Sequence, residues 1–304
     1  ENGGKSLIKV ADNGRGMSKK DAKKACLRHS TSKIADEKDL YSILTLGFRG
    51  EALASISAVS KLKIITKTKN QIEGIKLSYE GGKLVSEEIQ GCPKGTIIEV
   101  KDLFFNTPAR KKYLKSENVE LRHIVDIVQR YALIHPEIHF KLTHKEEILN
   151  SPSTSNPLTN ISYIYGRKIA KNMLEVDFSS EGINIKGFIS KPQISKSSKK
   201  DQSIYVNKRY VKSKEISDAL NNAYHTLMVI NKNPIAILNL KIDPKKTDVN
   251  VHPTKSVIKF DKEKQIYDFV FESVRKTLQE NDLIPDAEIE DQSKQYSLSS
   301  KKRK

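Results

Sequence analysis

The residues best suited to chemistry lie in two short stretches, Asp12-Asn13-Gly14-Arg15-Gly16-Met17 and Gly47-Phe48-Arg49-Gly50-Glu51-Ala52-Leu53. The polar segment Arg28-His29-Ser30-Thr31-Ser32-Lys33 lies between them. A carboxylate such as Asp12 accepts hydrogen bonds and suits an exocyclic amine like that of adenine. Gly14 and Gly16 lack Cβ atoms, so the backbone can turn there and lie against a flat ligand. Taken alone, D-x-G-x-G serves equally well as a strand-to-helix turn. Arg49 sits at the tip of a glycine-bracketed loop that feeds Glu51 to Ser57, a good helix start. Free N–H groups at a helix N-terminus suit phosphates; a plain helix start with a surface arginine is the competing reading. The chain has no G-x-x-x-x-G-K-[ST], which excludes a P-loop, and Gly14-Arg15-Gly16 lacks the third glycine of a dinucleotide fingerprint.

The elements that must hold these residues follow from the apolar pattern. Leu7 to Val10 alternates as a strand that delivers Asp12 at its end. Ser18 to Arg28 reads as a helix capped by Ser18, with Ala22, Ala25 and Cys26 on one face. Strands are expected at 62–66, 74–79 and 83–87, the last two joined by a Gly81-Gly82 turn, and at 95–100. A helix from Ser116 to Ile134 carries Leu121, Ile124, Val125, Val128, Tyr131 and Ala132 as a core stripe, and His135-Pro136 stops it. Residues 140–143 and 147–149 are expected to complete a mixed α+β layer.

The stretch 150–160 is polar and turn-rich and marks a boundary. Beyond it, Ile161 to Ala170 reads as a helix and turn, and strands are expected at 173–177, 183–189, 202–206 and 234–242. Helices are expected at 213–228, with Ile216, Ala219, Leu220, Ala223 and Leu227 on one face, and at 262–279. In Asp248-Val-Asn-Val-His-Pro-Thr-Lys255, Pro253 breaks a strand and leaves Lys255 on a loop. From Pro285 the composition is that of a disordered tail or linker start, ending in the basic Lys301-Lys-Arg-Lys304.

With 304 residues the chain is long enough for two cores. It is 37% hydrophobic and carries a formal net charge of +17, which suits a polyanion such as nucleic acid, although a lysine-rich solvated surface has the same composition. Cys26 and Cys92 are too far apart in sequence for a paired metal motif or a disulfide framework, which fits a reducing cytoplasm. No apolar run approaches the ~20 residues of a membrane helix.

D-N-G-R-G-M (12–17), R-H-S-T-S-K-I (28–34), L-G-F-R-G-E-A-L-A-S-I-S (46–57), D-L-F-F-N-T-P-A-R-K-K-Y-L (102–114) and D-V-N-V-H-P-T-K (248–255) together resemble the MutL family of mismatch-repair proteins, nearer its prokaryotic branch. That family falls within the GHKL ATPases. The resemblance implies an α+β fold: a GHKL-type α/β sandwich, with a mixed sheet and helices on one face, followed by a ribosomal-protein-S5-domain-2-like α/β domain. Residues 1–155 would be the nucleotide domain, 156–284 the transducer and 285–304 the start of a linker. It implies ATP and Mg²⁺ as cofactors. The nucleotide would be held by Asp12, Asn13, Gly14, Gly16 and Met17, by Thr31, Ser32 and Lys33 of a lid, and by Leu46, Gly47, Phe48, Arg49, Gly50, Glu51, Ala52 and Leu53. Thr96 of Gly95-Thr96 would support the adenine end, and a β-prone threonine is its plain alternative. Lys255 would reach back to the γ-phosphate, where a bare surface lysine is the other reading.

The resemblance further implies DNA bound largely without sequence preference, with Arg209, Lys212 and Lys214 as candidate contacts. It implies a homodimer formed with ATP, a mismatch-recognition partner of the MutS type, no membrane, and a cytoplasmic, nucleoid-associated location. The family's general-base glutamate and Mg²⁺-holding asparagine lie on a helix before the second strand. Residues 1–9 contain no such helix, and Glu1 and Asn2 do not match it, so this piece reads as cut after its first helices and inactive alone. A non-catalytic DNA-binding module and another GHKL enzyme, such as a type II topoisomerase subunit, are the alternatives. The topoisomerase would want its own second-domain signature in place of N-V-H-P-T-K.

Overall fold

The computed structural model describes residues 1–27, 51–244, 247–248 and 259–283. The lid segment, the loop at 46–50, Lys255 and the tail from 284 lie outside the described residues.

Strand alternation builds the first sheet from β1 (Leu7–Asp12), β2 (Lys61–Lys67), β3 (Gly74–Glu80), β4 (Lys83–Gln90) and β5 (Gly95–Lys101). Their order is β1-β5-β2-β3-β4, and each neighbouring pair is antiparallel. The period of two turns Leu62, Ile64 and Thr66 of β2 to the buried face. There α1 (Lys19–Lys24) and α2 (Ala52–Ala58) cover it, and Ala22, Leu53 and Ile56 join Leu62, Ile64, Leu77, Tyr79 and Val100 in one core. Ser18 caps α1 by accepting from the Asp21 amide at 3.2 Å. Lys19 and Lys23 clamp α1 to Glu87 of β4 at 2.5 and 2.6 Å. The helix is shorter than its pattern suggested: residues 25–27 leave it as a turn, in which Cys26 and Tyr79 are hydrogen-bonded. Burial pushes the thiol of the half-buried Cys26 up to about 11.

A short α3 (Pro108–Lys111) leads to α4 (Glu117–Ile134). The core stripe expected on α4 needs correction. Of its six residues only Ala132 is fully buried, and Tyr131 is 37% exposed. Arg130 and Leu133 are buried instead, because only the last turns of α4 enter the seam against the second half of the molecule. The strands β6 (Phe140–His144) and β7 (Glu146–Ser151) pair only with each other, as a ribbon against α4, and add nothing to the first sheet.

The helix α5 (Pro157–Tyr165) begins inside the polar stretch 150–160 read as a boundary. Asn156 accepts from the amides of Leu158 and Thr159, and Pro157 follows at the first helical position, where its missing N–H costs nothing. Gly166 separates α5 from α6 (Arg167–Lys171). The remaining strands are β8 (Met173–Ser180), β9 (Ile183–Ser190), β10 (Ser195–Lys196), β11 (Gln202–Val206), β12 (Arg209–Tyr210), β13 (Asn233–Pro234), β14 (Ala236–Lys241), β15 (Thr247–Asp248) and β16 (Lys259–Phe260). Five of them form a mixed sheet ordered β12-β11-β14-β9-β8, in which β11 and β14 are parallel. Alternation again sorts the side chains. Ile204, Val206, Leu238 and Leu240 face α7 (Lys214–Ala223) and α8 (Glu263–Glu280), whereas Tyr205 and Ile237 face α5, α6 and the end of α4. The helix α7 stops at Ala223, short of the expected 228, and leaves Leu227 37% exposed; Tyr224 is buried in its place and donates to the Ser190 carbonyl at 2.5 Å. The architecture is therefore α+β, with two sheets each carrying helices.

Candidate nucleotide site

Register brings three polar residues from separate strands into one row. Asp12 ends β1 opposite Thr96 of β5, and Thr96 in turn lies opposite Thr66 of β2. The chain after Asp12 folds back at once, because the Gly14 N–H donates to Asp12 Oδ1 at 2.8 Å. Met17 then closes the turn by donating its N–H to Thr66 Oγ1 at 2.9 Å. Two glycines make this approach possible. A Cβ at Gly16, whose φ is +70°, would stand 2.0 Å from the Lys67 carbonyl oxygen, and one at Gly95, with φ +126°, would stand 2.0 Å from that of Asp12. Gly16, read in sequence as a place where the backbone can turn, and Gly95 are thus obligatory for packing β1, β5 and β2 around this corner.

Asp12, Asn13 and Gly14 are exposed, Gly16 and Met17 half-buried, and Thr96 buried. The corner is a hydrogen-bonded floor beneath an exposed rim that carries the Asp12 carboxylate, an acceptor able to take a donor such as an amine. Glu51 stands at the N-cap of α2, Ala52 is exposed at its first position, and Leu53 packs into the same core as Met17. Thr31, Ser32, Lys33, Leu46, Gly47, Phe48, Arg49, Gly50 and Lys255 lie outside the described residues.

Motif reading missed Thr66. Its signal was nonetheless present: in Leu62-Lys-Ile-Ile-Thr66 it is the polar residue at a position where alternation demands an apolar one.

Glu1 precedes a 3-10 turn at Asn2–Gly4, and the Asn2 side-chain amide donates to Ser6 Oγ at 3.3 Å. Among the described residues no group of three or more His, Cys, Asp or Glu side chains is placed to hold a metal ion.

The three candidate DNA contacts differ in setting. Lys212 and Lys214 are exposed, the latter at the start of α7. Arg209 is half-buried; burial lowers its pKa, and Tyr131 of α4 opposes that change. An open groove of about 940 Å³ between α8 and the β8–β9 turn is lined by none of the candidate residues. No helix among the described residues is long and apolar enough to cross a membrane.

Comparison with known proteins bears directly on this geometry. Residues 1–103 match the family described as histidine kinase-, DNA gyrase B- and HSP90-like ATPase. Residues 161–279 match the family described as DNA mismatch repair protein, C-terminal domain. The DNA mismatch repair protein MutL of Clostridium acetobutylicum is 45% identical over 275 residues, 90% of this chain and 44% of the relative. That of a Thermoanaerobacter species is 40% identical over 297 residues, 97% of this chain and 48% of the relative. The chain thus spans a little under half the length of the curated relatives it matches. A solved N-terminal domain of a DNA repair protein superposes with a TM-score of 0.74 at 30% identity, covering 91% of this chain and 86% of that one. The MutL ATPase domain of Aquifex aeolicus, complexed with ADP, gives 0.64 at 26% identity, covering 92% and 88%.

Proposed function

This chain belongs to the MutL family of DNA mismatch repair proteins, and we propose that it forms the region that binds ATP and converts nucleotide state into a change of shape on DNA. The observation that carries the reading is the row Asp12–Thr96–Thr66, walled by Gly16 and Gly95, at the end of the first sheet. Asp12 accepts from the adenine amine, and Gly14, Gly16 and Met17 form the turn that lies along the base, with Asn13 beside them and Thr96 supporting the adenine end. The lid residues Thr31, Ser32 and Lys33, the loop Leu46 to Gly50, and Glu51, Ala52 and Leu53 take the phosphate end. Lys255 contacts the γ-phosphate. Residues 1–155 act as the nucleotide domain and 156–284 as the transducer.

In the intact protein ATP is hydrolysed with Mg²⁺. Glu1 and Asn2, at the start of a 3-10 turn, are not read as the general base and the Mg²⁺-holding asparagine. ATP orders the lid and favours a homodimer, which holds DNA without marked sequence preference, with Lys212, Lys214 and Arg209 among the cations involved. A mismatch-recognition protein of the MutS type recruits it in the cytoplasm, at the nucleoid.

The test is calorimetric titration of the full-length protein. Asp12→Asn replaces an acceptor by a group that also donates, and ATP affinity falls by roughly 1–3 kcal/mol. Unchanged affinity removes Asp12 from the site. Lys255→Ala cuts hydrolysis and ATP-driven dimerisation about tenfold or more, from charge-assisted contacts worth about 1.5–3 kcal/mol, and spares ADP binding. Equal loss of ATP and ADP binding would mean that Lys255 does not touch the terminal phosphate.

A further inference from the structure

The Thr66 hydroxyl has three polar neighbours: Met17 N at 2.9 Å, the Gly95 carbonyl oxygen at 2.9 Å and Thr96 Oγ1 at 3.1 Å. A hydroxyl carries one proton and two lone pairs. The Met17 N–H can only donate and the Gly95 carbonyl can only accept. The Thr66 proton therefore goes to Gly95, one lone pair takes the Met17 N–H, and the other takes the proton of Thr96. Thr66 is 1% exposed and Thr96 8%, so bulk water offers neither an easy substitute.

We propose that Thr66 is a positioning residue for nucleotide selection: it occupies the one proton of Thr96 and so holds Thr96 Oγ1 as an acceptor only. The inference rests on the reading that this corner receives a purine nucleotide. Its consequence is that both oxygens in the row, the Asp12 carboxylate and the Thr96 hydroxyl, accept. They favour a ligand amine, or a water ordered beside it, and disfavour a carbonyl at the same place. Without Thr66 the Thr96 hydroxyl is free to rotate and donate, and a 6-oxopurine is then less penalised. The alternation in β2 that buries Leu62 and Ile64 also delivers the Thr66 side chain to this point, so core packing sets the direction of a hydrogen bond at the rim.

The experiment measures equilibrium binding of ATP and of inosine triphosphate, its 6-oxo counterpart, to the full-length protein and to Thr66→Val and Thr66→Ser. Thr66→Val weakens ATP binding about tenfold and narrows the preference for ATP over inosine triphosphate. Thr66→Ser keeps the hydroxyl and restores both. If Thr66→Val weakens both ligands equally and keeps the preference, the residue is merely structural and the proposal is overturned. Should Thr66→Val fail to fold, Thr96→Val carries the test, because it removes the oxygen that Thr66 orients; an unchanged preference there overturns the proposal too. A parent protein without saturable purine binding overturns the nucleotide reading itself, an outcome distinct from loss of the Thr66 role alone.

Discussion

Two buried polar networks join distant parts of this molecule, and they are built to different standards. At the corner of the first sheet, Thr66 matches one donor and two acceptor positions to three neighbours with none left over. At the seam between the halves, Arg130 of α4 lies 3.9 Å above the ring of Tyr210, with Nη2 donating to Asp126 at 2.8 Å and to the Lys200 carbonyl at 3.2 Å. Among the described residues its Nε and Nη1 are buried without a geometrically well-formed hydrogen bond, against the Tyr210 side chain. Burial opposes the charge of Arg130, but the hydrogen bond and charge of Asp126 prevail and raise its pKa. Tyr205, whose ionisation burial opposes, completes the seam by donating to the Arg130 carbonyl at 2.7 Å.

A fully satisfied network fixes one geometry, whereas a buried donor without a partner keeps its full desolvation cost. The corner is thus suited to holding a ligand atom in place.

Substitutions can break this contrast, and urea unfolding of each variant measures them. The largest effect is expected for Arg130→Ala, which removes a long buried side chain and its contact with Tyr210 and costs roughly 2–4 kcal/mol. Thr66→Val follows at about 1–3 kcal/mol, since the Met17 N–H and the Gly95 carbonyl lose a buried partner that valine cannot replace despite its matching shape. Tyr205→Phe costs about 0.5–1.5 kcal/mol, the net worth of one hydrogen bond. Arg130→Met is the smallest and the sharpest. Methionine fills similar space over Tyr210 without orphan donors, so stability stays within about 1 kcal/mol of the parent. If Arg130→Met cost as much as Arg130→Ala, the seam would be as exacting as the corner and the contrast would fall.

The candidate site was partly legible in sequence, for local reasons. Asp12 at the end of an alternating strand, glycines at 14 and 16, and Ser18 as a helix cap are all marked within a few residues of where they act. The start of α5 was equally marked, by Asn156-Pro157, but the surrounding polar residues hid it. The α4 stripe misled because an apolar period states which face a helix prefers to bury and not how much of its length finds a partner.

By itself the sequence determined most of the long strands and helices, several of their caps, the order of the motifs and, through them, the family. The tertiary structure alone decided that Thr66 stands beside Met17, 49 residues away, and beside Thr96, 30 away. It also decided that Tyr205 reaches the carbonyl of Arg130 across 75 residues. The physical reason is that a side chain's face follows from a period of two or 3.6, which is local. The partner it meets follows from strand order and register, which only the packed core selects.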